Sequence, residues 1–369
     1  MPLSVCFRAD AATWIGIGHV MRCLTLADAL RERGHRCQFI CRAHSGNLIA
    51  HIRSKGHGVI ELPGTDEALP ESAAGTDQLD HAAWLGCDWS EDAAQALAAL
   101  SENPVDWLVV DHYALDARWE SQLRAVCSRI MVLDDLADRA HDCDLLLDQT
   151  LGRRPGEYAR WLSRPAELLC GSQYALLRPE FAEWRSKSLQ RRDTGQIRHL
   201  LITMGGVDQH NATGQALAVL NTADLPPQAR VTVVMGARAP WLEQVRQQAG
   251  KMAIPVVVET DVRDMAGLMA GSDLAIGAAG ATSWERCCLG LPAIMVVLAA
   301  NQSGVAAGLK KAGAAEIIPS PQQIEAGLTP LVESLLASPE RCREMSERAA
   351  RVTDGAGTAR VTQYLEALI

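Results

Sequence analysis

Two glycines and a histidine follow the opening β-rich run of this chain. Ser4-Val5-Cys6-Phe7 leads through Arg8 and Asp10 to Gly16-Ile17-Gly18-His19, and Val20–Leu30 continues with helically spaced apolar residues. Two glycines let backbone approach a bound group closely, and a helix start offers N–H groups to an anion. The positive end of the helix dipole disfavours a cationic imidazole, so His19 would stay neutral and able to accept a proton. Such a residue can serve as a general base beside a phosphate or sugar; it can equally be a capping or packing histidine. The run is not a dinucleotide fingerprint, because Met21 stands where the third glycine would be.

Further candidates end other β-rich runs. Gly277-Ala278-Ala279-Gly280-Ala281-Thr282-Ser283-Trp284-Glu285 follows a strand and opens a helix, with Thr282 or Ser283 as its cap and Glu285 in its first turn. It can hold a diphosphate on backbone N–H groups while the carboxylate accepts sugar or ribose hydroxyls, or it can be a structural capping box. Met204-Gly205-Gly206-Val207-Asp208, with Asn211 at the next helix start, reads as a second phosphate-side loop or a plain tight turn. Asn301-Gln302-Ser303 ends a strand; Asn301 can face a ligand, cap a helix, or both. Asp111, His112, Asp134 and Asp135 end strands too. Adjacent strand residues point to opposite faces, so Asp134-Asp135 is no ready metal pair. With no CxxC and no HExxH, no metal is expected.

The elements that must position these groups alternate. Strands are expected at Ser4–Phe7, Arg36–Cys41, Val59–Leu62, Trp107–Asp111, Ile130–Asp134, Asp144–Leu147 and Glu167–Cys170, and again at His199–Met204, Val231–Met235, Pro255–Val258, Leu274–Ile276, Ala293–Leu298 and Glu316–Pro319. Helical patterns such as Ala114–Val126 lie between them. Short apolar strands separated by helices imply parallel sheets covered on both faces. The fold class is therefore α/β, with two Rossmann-like doubly wound domains facing a cleft. The expected division is an N-terminal domain at 1–182 carrying His19, a polar, arginine-rich linker at 183–198, a second domain at 199–350 and a C-terminal helical segment at 351–369 packing back on the first. The acidic stretch Pro63–Asp80 reads as a long loop, either a solvated connector or a lid.

Composition narrows the function classes. At 369 residues, 48% hydrophobic and 21% charged, the chain has material for two cores. A net charge of -9 without a basic block argues against nucleic acid. Eleven cysteines in no paired pattern favour reduced thiols in the cytoplasm. No secretory signal is read at the start, and the apolar stretch Leu291–Ala300 is too short for a membrane span.

Arg8-Ala9-Asp10, Gly16–Leu24, Val110-Asp111-His112-Tyr113, Asp134–Arg139, Cys143–Gln149 and Gly277–Glu285 together resemble the UDP-2,4-diacetamido-2,4,6-trideoxy-β-L-altropyranose hydrolases of pseudaminic acid biosynthesis. The resemblance runs from residue 4 to about residue 360. It implies a GT-B fold, shared with the N-acetylglucosaminyltransferase that makes lipid II, and release of UDP by water attack at the anomeric carbon with inversion, without metal or cofactor. It implies His19 as general base and Glu285 and Asn301 as holding the UDP-sugar, with Arg178 in a further family-like stretch. Together with the residues read above, Gly16, Gly18, Asp10, Arg178, Asn301 and Gln302 are expected at the substrate. Gly205, Gly206, Gly280, Ala281, Thr282, Ser283 and Glu285 would hold the nucleotide. It implies a stand-alone, monomeric hydrolase whose only partner is a small UDP-sugar. A glycosyltransferase with an acceptor alcohol and a non-catalytic nucleotide-sugar binding protein are the alternatives.

Overall fold

The computed structural model describes residues 2–68 and 79–368. The chain divides into two compact units, Met1–Leu176 with Gly357–Ile369, and Leu177–Ala356.

The first unit is built on a seven-stranded parallel sheet. Its strands are β1 (Ser4–Ala9), β2 (Arg36–Arg42), β3 (Gly58–Leu62), β4 (Val105–Asp111), β5 (Cys127–Leu133), β6 (Leu145–Asp148) and β7 (Glu167–Cys170), in the order β3-β2-β1-β4-β5-β6-β7. Residues alternate between its two faces, as strand geometry requires. Val5, Phe7, Phe39, Trp107, Val109, Met131 and Leu147 pack on one side, and Cys6, Ile40, Leu108, Val110, Ile130, Val132 and Leu146 on the other. Both sets are apolar because helices cover both faces. Helix Gly18–Glu32 lies on the first side with the C-terminal helix Gly357–Ala367, whose Leu365 carbonyl accepts the Trp107 indole N–H at 3.0 Å.

The second unit repeats the plan with six parallel strands: β8 (His199–Thr203), β9 (Arg230–Met235), β10 (Val256–Thr260), β11 (Leu274–Ala278), β12 (Ala293–Val296) and β13 (Glu316–Ile318), in the order β10-β9-β8-β11-β12-β13. In each unit the chain first builds outward on one side of the starting strand and then crosses to the other. The reversals fall between β1 and β4 and between β8 and β11, the places where ligands collect beyond the strand C-termini in this architecture.

Every expected strand segment carries a strand. The expected linker does not exist as one. Residues 183–191 lie inside the helix Pro179–Arg191, and a short turn, Arg192–Thr194, follows. Two of the arginines in this stretch are donors to main-chain carbonyls. Arg185 binds Ala350 O at 2.7 Å and Thr353 O at 3.1 Å, and buried Arg192 binds Met269 O at 3.0 Å and Ser272 O at 3.1 Å. With Ser188 Oγ on Leu289 O, these bonds tie the segment into the second unit, so the division falls at 176/177. At the other end, residues 351–356 belong to the second unit and only the helix from Gly357 onward to the first. Of the expected loop Pro63–Asp80, residues 69–78 lie outside the described residues.

Candidate active site

In the first unit, Gly16 adopts φ +82°, a left-handed conformation that suits glycine, and its N–H binds Ala12 O at 2.8 Å. The turn delivers His19 into the first turn of helix Gly18–Glu32, where it is 8% exposed. Its Nδ1 lies 2.6 Å from Asp111 Oδ1 at the end of β4. Arg22, one helical turn after His19, grips the same carboxylate through Nε and Nη2, both at 2.6 Å, and reaches Asp135 at 2.9 Å. Tyr113 donates its hydroxyl to Asp135. Burial opposes ionisation of Asp111, but Arg22 and His19 override it and hold the carboxyl well below the usual carboxylate range. An ionised carboxylate only accepts, so Nδ1 is the donor of this pair, and in the neutral imidazole the lone pair lies on Nε2. The Tyr113 ring stands edge-on to His19 at 4.7 Å; His81 meets Tyr113 edge-on at 5.1 Å, and Trp84 lies tilted against it at 5.6 Å.

Asp10 sits differently from the expectation of a substrate ligand. It is fully buried, 2.7 Å from Arg8, and accepts the Arg42 backbone N–H at 2.7 Å. Burial opposes its ionisation, yet Arg8 holds it down at about 2. Arg8 and Arg42 also share Asp92, so Asp10 belongs to an interior ionic network at the ends of β1 and β2. Asp134 and Asp135 take separate partners, Asp134 binding Arg139 at 2.7 Å and the Tyr158 hydroxyl at 2.7 Å.

In the second unit, Glu285 lies in the helix Thr282–Cys288, and its carboxylate is 3.7 Å from Arg178. Burial pushes the Glu285 carboxyl up, and Arg178 partly offsets this. Gln302 belongs to the same neighbourhood. Its Oε1 accepts the Leu298 N–H at 3.0 Å, and its Nε2 would lie 3.8 Å from a Cβ on Gly280. Gly205 at φ +93° and Gly206 are exposed beyond β8, and Gly280 is part-exposed beyond β11.

Three local expectations change. Neither Thr282 nor Ser283 caps its helix; the cap position is Ala281, and Ser283 is buried with its hydroxyl 3.7 Å from Met295 sulfur and 3.2 Å from Arg286. Asn301 is exposed and caps nothing, the next helix starting at Ser303. The helix after Gly205-Gly206, Ala212–Leu220, is capped by Asn211 and by Asp208, which accepts the Ala212 and Thr213 N–H groups at 2.8 and 2.9 Å. The Asp208 carboxylate thus satisfies the first N–H groups of that helix, and Gly205-Gly206 stand apart from its start.

The sequence reading missed Arg22, Tyr113 and the pairing of Asp111 with His19. One signal was available: Arg22 is three residues after His19, hence on the same helix face. His81 and Trp84 carried none.

The glycosyltransferase family 28 C-terminal domain matches residues 170–359. The chain is 24% identical over 312 residues to the UDP-2,4-diacetamido-2,4,6-trideoxy-beta-L-altropyranose hydrolase of Campylobacter jejuni, a match spanning 84% of this chain and 97% of that protein. It is 27% identical over 387 residues to the UDP-N-acetylglucosamine--N-acetylmuramyl-(pentapeptide) pyrophosphoryl-undecaprenol N-acetylglucosamine transferase of Halorhodospira halophila, spanning 99% of each. Among solved structures, MurG of Acinetobacter baumannii superposes with a TM-score of 0.71 at 15% identity, over 99% of this chain and 100% of that one. With two parallel α/β units and just over half its length inside the matched domain, the chain has a GT-B fold and belongs to the glycosyltransferase family 28 C-terminal domain family.

Proposed function

We propose that this protein hydrolyses UDP-2,4-diacetamido-2,4,6-trideoxy-β-L-altrose to the free sugar and UDP, as a step in pseudaminic acid biosynthesis. The observation that carries the reading is the His19–Asp111 pair at the β1/β4 reversal, with Nε2 of the imidazole left to take a proton. In the proposed step, a water gives a proton to His19 Nε2 while its oxygen attacks the anomeric carbon. The bond from that carbon to the β-phosphate oxygen breaks on the opposite face, and UDP departs with the electron pair. Asp111 keeps the imidazole in one tautomer and stabilises the imidazolium. In the second unit, Glu285 accepts hydroxyl hydrogen bonds from the nucleotide, and the small residues Gly280–Ser283 admit the diphosphate to main-chain N–H groups. Gly16 and Gly18 leave room beside His19 for the sugar. The reading assigns no metal or cofactor, and a cytoplasmic monomer; the eleven cysteines are all free, which suits a reducing compartment. No helix among the described residues is long and apolar enough to cross a membrane.

Glycosyl transfer to an acceptor alcohol is the second reading, favoured by the full-length match to a transferase. The test is incubation with the UDP-sugar in heavy-oxygen water, with and without EDTA and with no acceptor added. UDP release with the label on the anomeric hydroxyl, unaffected by EDTA, is the expected result. No release until an alcohol is supplied would refute hydrolysis. Glu285→Ala is expected to weaken UDP binding by about tenfold, the scale of a lost charge-assisted bond. Unchanged affinity in calorimetry removes Glu285 from the nucleotide site.

A further inference from the structure

Buried arginines in the first unit are neutralised at contact distance. Arg8 pairs with Asp10 and Asp92, Arg42 with Asp92, and Arg139 with Asp134. Arg286 in the second unit is fully buried and makes no ion pair among the described residues; the neighbouring Glu285 carboxylate acts on it only at longer range and does not offset its burial. Its Nη2 donates to Ala278 O and to Ser283 Oγ, while Nε and Nη1 have no hydrogen-bond partner. Burial pulls its pKa down to about 10, an unusual displacement for a guanidinium. A buried polar group left unpaired costs free energy, and an uncompensated charge costs more, so such a residue calls for an explanation.

Its position supplies one. A methyl group on Gly277 would sit 2.4 Å from Arg286 Nη1 and 2.5 Å from the Thr203 carbonyl oxygen. The guanidinium is therefore tucked beneath the last residues of β8 and β11, at the chain reversal of this sheet. Above it run the two glycine-containing loops, Met204–Gly206 and Ala279–Ala281. Arg192, the other buried arginine with a lowered pKa, differs. It donates to carbonyls at the end of helix Met265–Ala270, whose negative dipole end accounts for it. The first unit's reversal holds the carboxylates Asp10 and Asp111, whose charges are already taken up by Arg8 and Arg22.

We infer that Arg286 is the resident countercharge for the diphosphate of the bound nucleotide, a positioning residue that acts through the Gly277–Ala281 turn. The inference rests on the UDP-sugar reading above and adds to it the group that distinguishes a nucleoside diphosphate from a nucleoside. In a low-dielectric interior an unpaired positive charge projects a field into the loops above it, and an anion arriving there offsets the cost of that charge. Its bond to Ala278 O also fixes the turn that the phosphates would meet. Gly277 is required because any side chain there would displace the guanidinium.

The test is calorimetry on the full chain with UDP and with uridine, alongside thermal melts. The parent is expected to prefer UDP strongly. Arg286→Met is expected to lose about tenfold or more in UDP affinity, the scale of a charge-assisted contact, and to hold uridine affinity within about twofold. Its melting temperature without ligand should stay level or rise, because an unpaired buried charge has been removed. Arg286→Lys should keep more of the preference for UDP over uridine than Arg286→Gln, which also serves if the methionine variant does not fold. Equal weakening of UDP and uridine would mark a purely structural residue and overturn the inference. So would an unchanged preference for UDP in a folded variant, or equal effects of lysine and glutamine. A parent chain that binds no UDP defeats the UDP-sugar reading itself and this inference with it.

Discussion

His19→Ala is expected to lower turnover of the UDP-sugar by about a hundred- to ten-thousand-fold, the usual worth of a positioned general base. Three features make His19 the residue where this loss should appear. Its Nδ1 is engaged by Asp111 at 2.6 Å, so the ring is fixed in orientation and tautomer. Asp111 is in turn gripped by Arg22 through two bonds of 2.6 Å, which keep it ionised and in place. Arg22 is itself held by Asp135 at 2.9 Å, so the carboxylate that orients the imidazole has its own support. UDP affinity should stay within about twofold in calorimetry, since the residues proposed to hold the nucleotide, Glu285 and Arg286, lie in the second unit. A variant that still turns over near the parent rate sinks the base assignment. One that loses turnover and UDP binding together points to a positioning role instead.

The second large effect is on stability. Acidification should destabilise the protein from about pH 6.5 downward, and His112 should contribute about one proton to the slope of that loss. His112 is buried beside Asp111, and its Nδ1 accepts the Ala114 N–H at 3.1 Å. Protonating Nδ1 would set two donors against each other. Nε2 is 3.5 Å from Asp10, which favours the charged form, but Arg8 opposes it, and burial outweighs both. The pKa is pushed from 6.5 down to about 3. Between those values the unfolded chain holds a proton that the folded chain does not. Stability from this group is therefore complete above about pH 6.5 and drains away as pH falls toward about 3. Urea unfolding at pH 7 and pH 5 measures it. His112→Asn, which can keep an acceptor for Ala114, should show a shallower slope by about one proton. Equal slopes in parent and variant would mean that His112 titrates normally in the fold.

Much of the architecture was legible along the chain because it follows from short-range periodicity. Each strand segment announced itself as an apolar run between turn residues, and the helical spacing between runs required parallel crossovers. The glycine turns at 16–18, 205–206 and 277–280 were visible for the same reason: a conformational need is written in one residue. Where the reading failed, side-chain chemistry was inferred from composition alone. The arginine-rich stretch reads as a linker, since nothing local reveals that carbonyls from residues 269–272 and 350–353 will meet Arg185 and Arg192. Ser283 was taken for a cap, but the tertiary fold turns it inward against Met295 and Arg286.

By itself, then, the sequence determined two parallel α/β units, the loops at their strand ends, and His19 and Glu285 as the residues those loops carry. Only the tertiary structure decided what holds them. Asp111 stands 92 positions from His19, and the two meet because β1 and β4 pair in register while the intervening strands build out on the other side. Arg286 was adjacent to Glu285 and passed unnoticed, because its want of a countercharge is a property of burial, and burial is settled only when sheet and helices close around it.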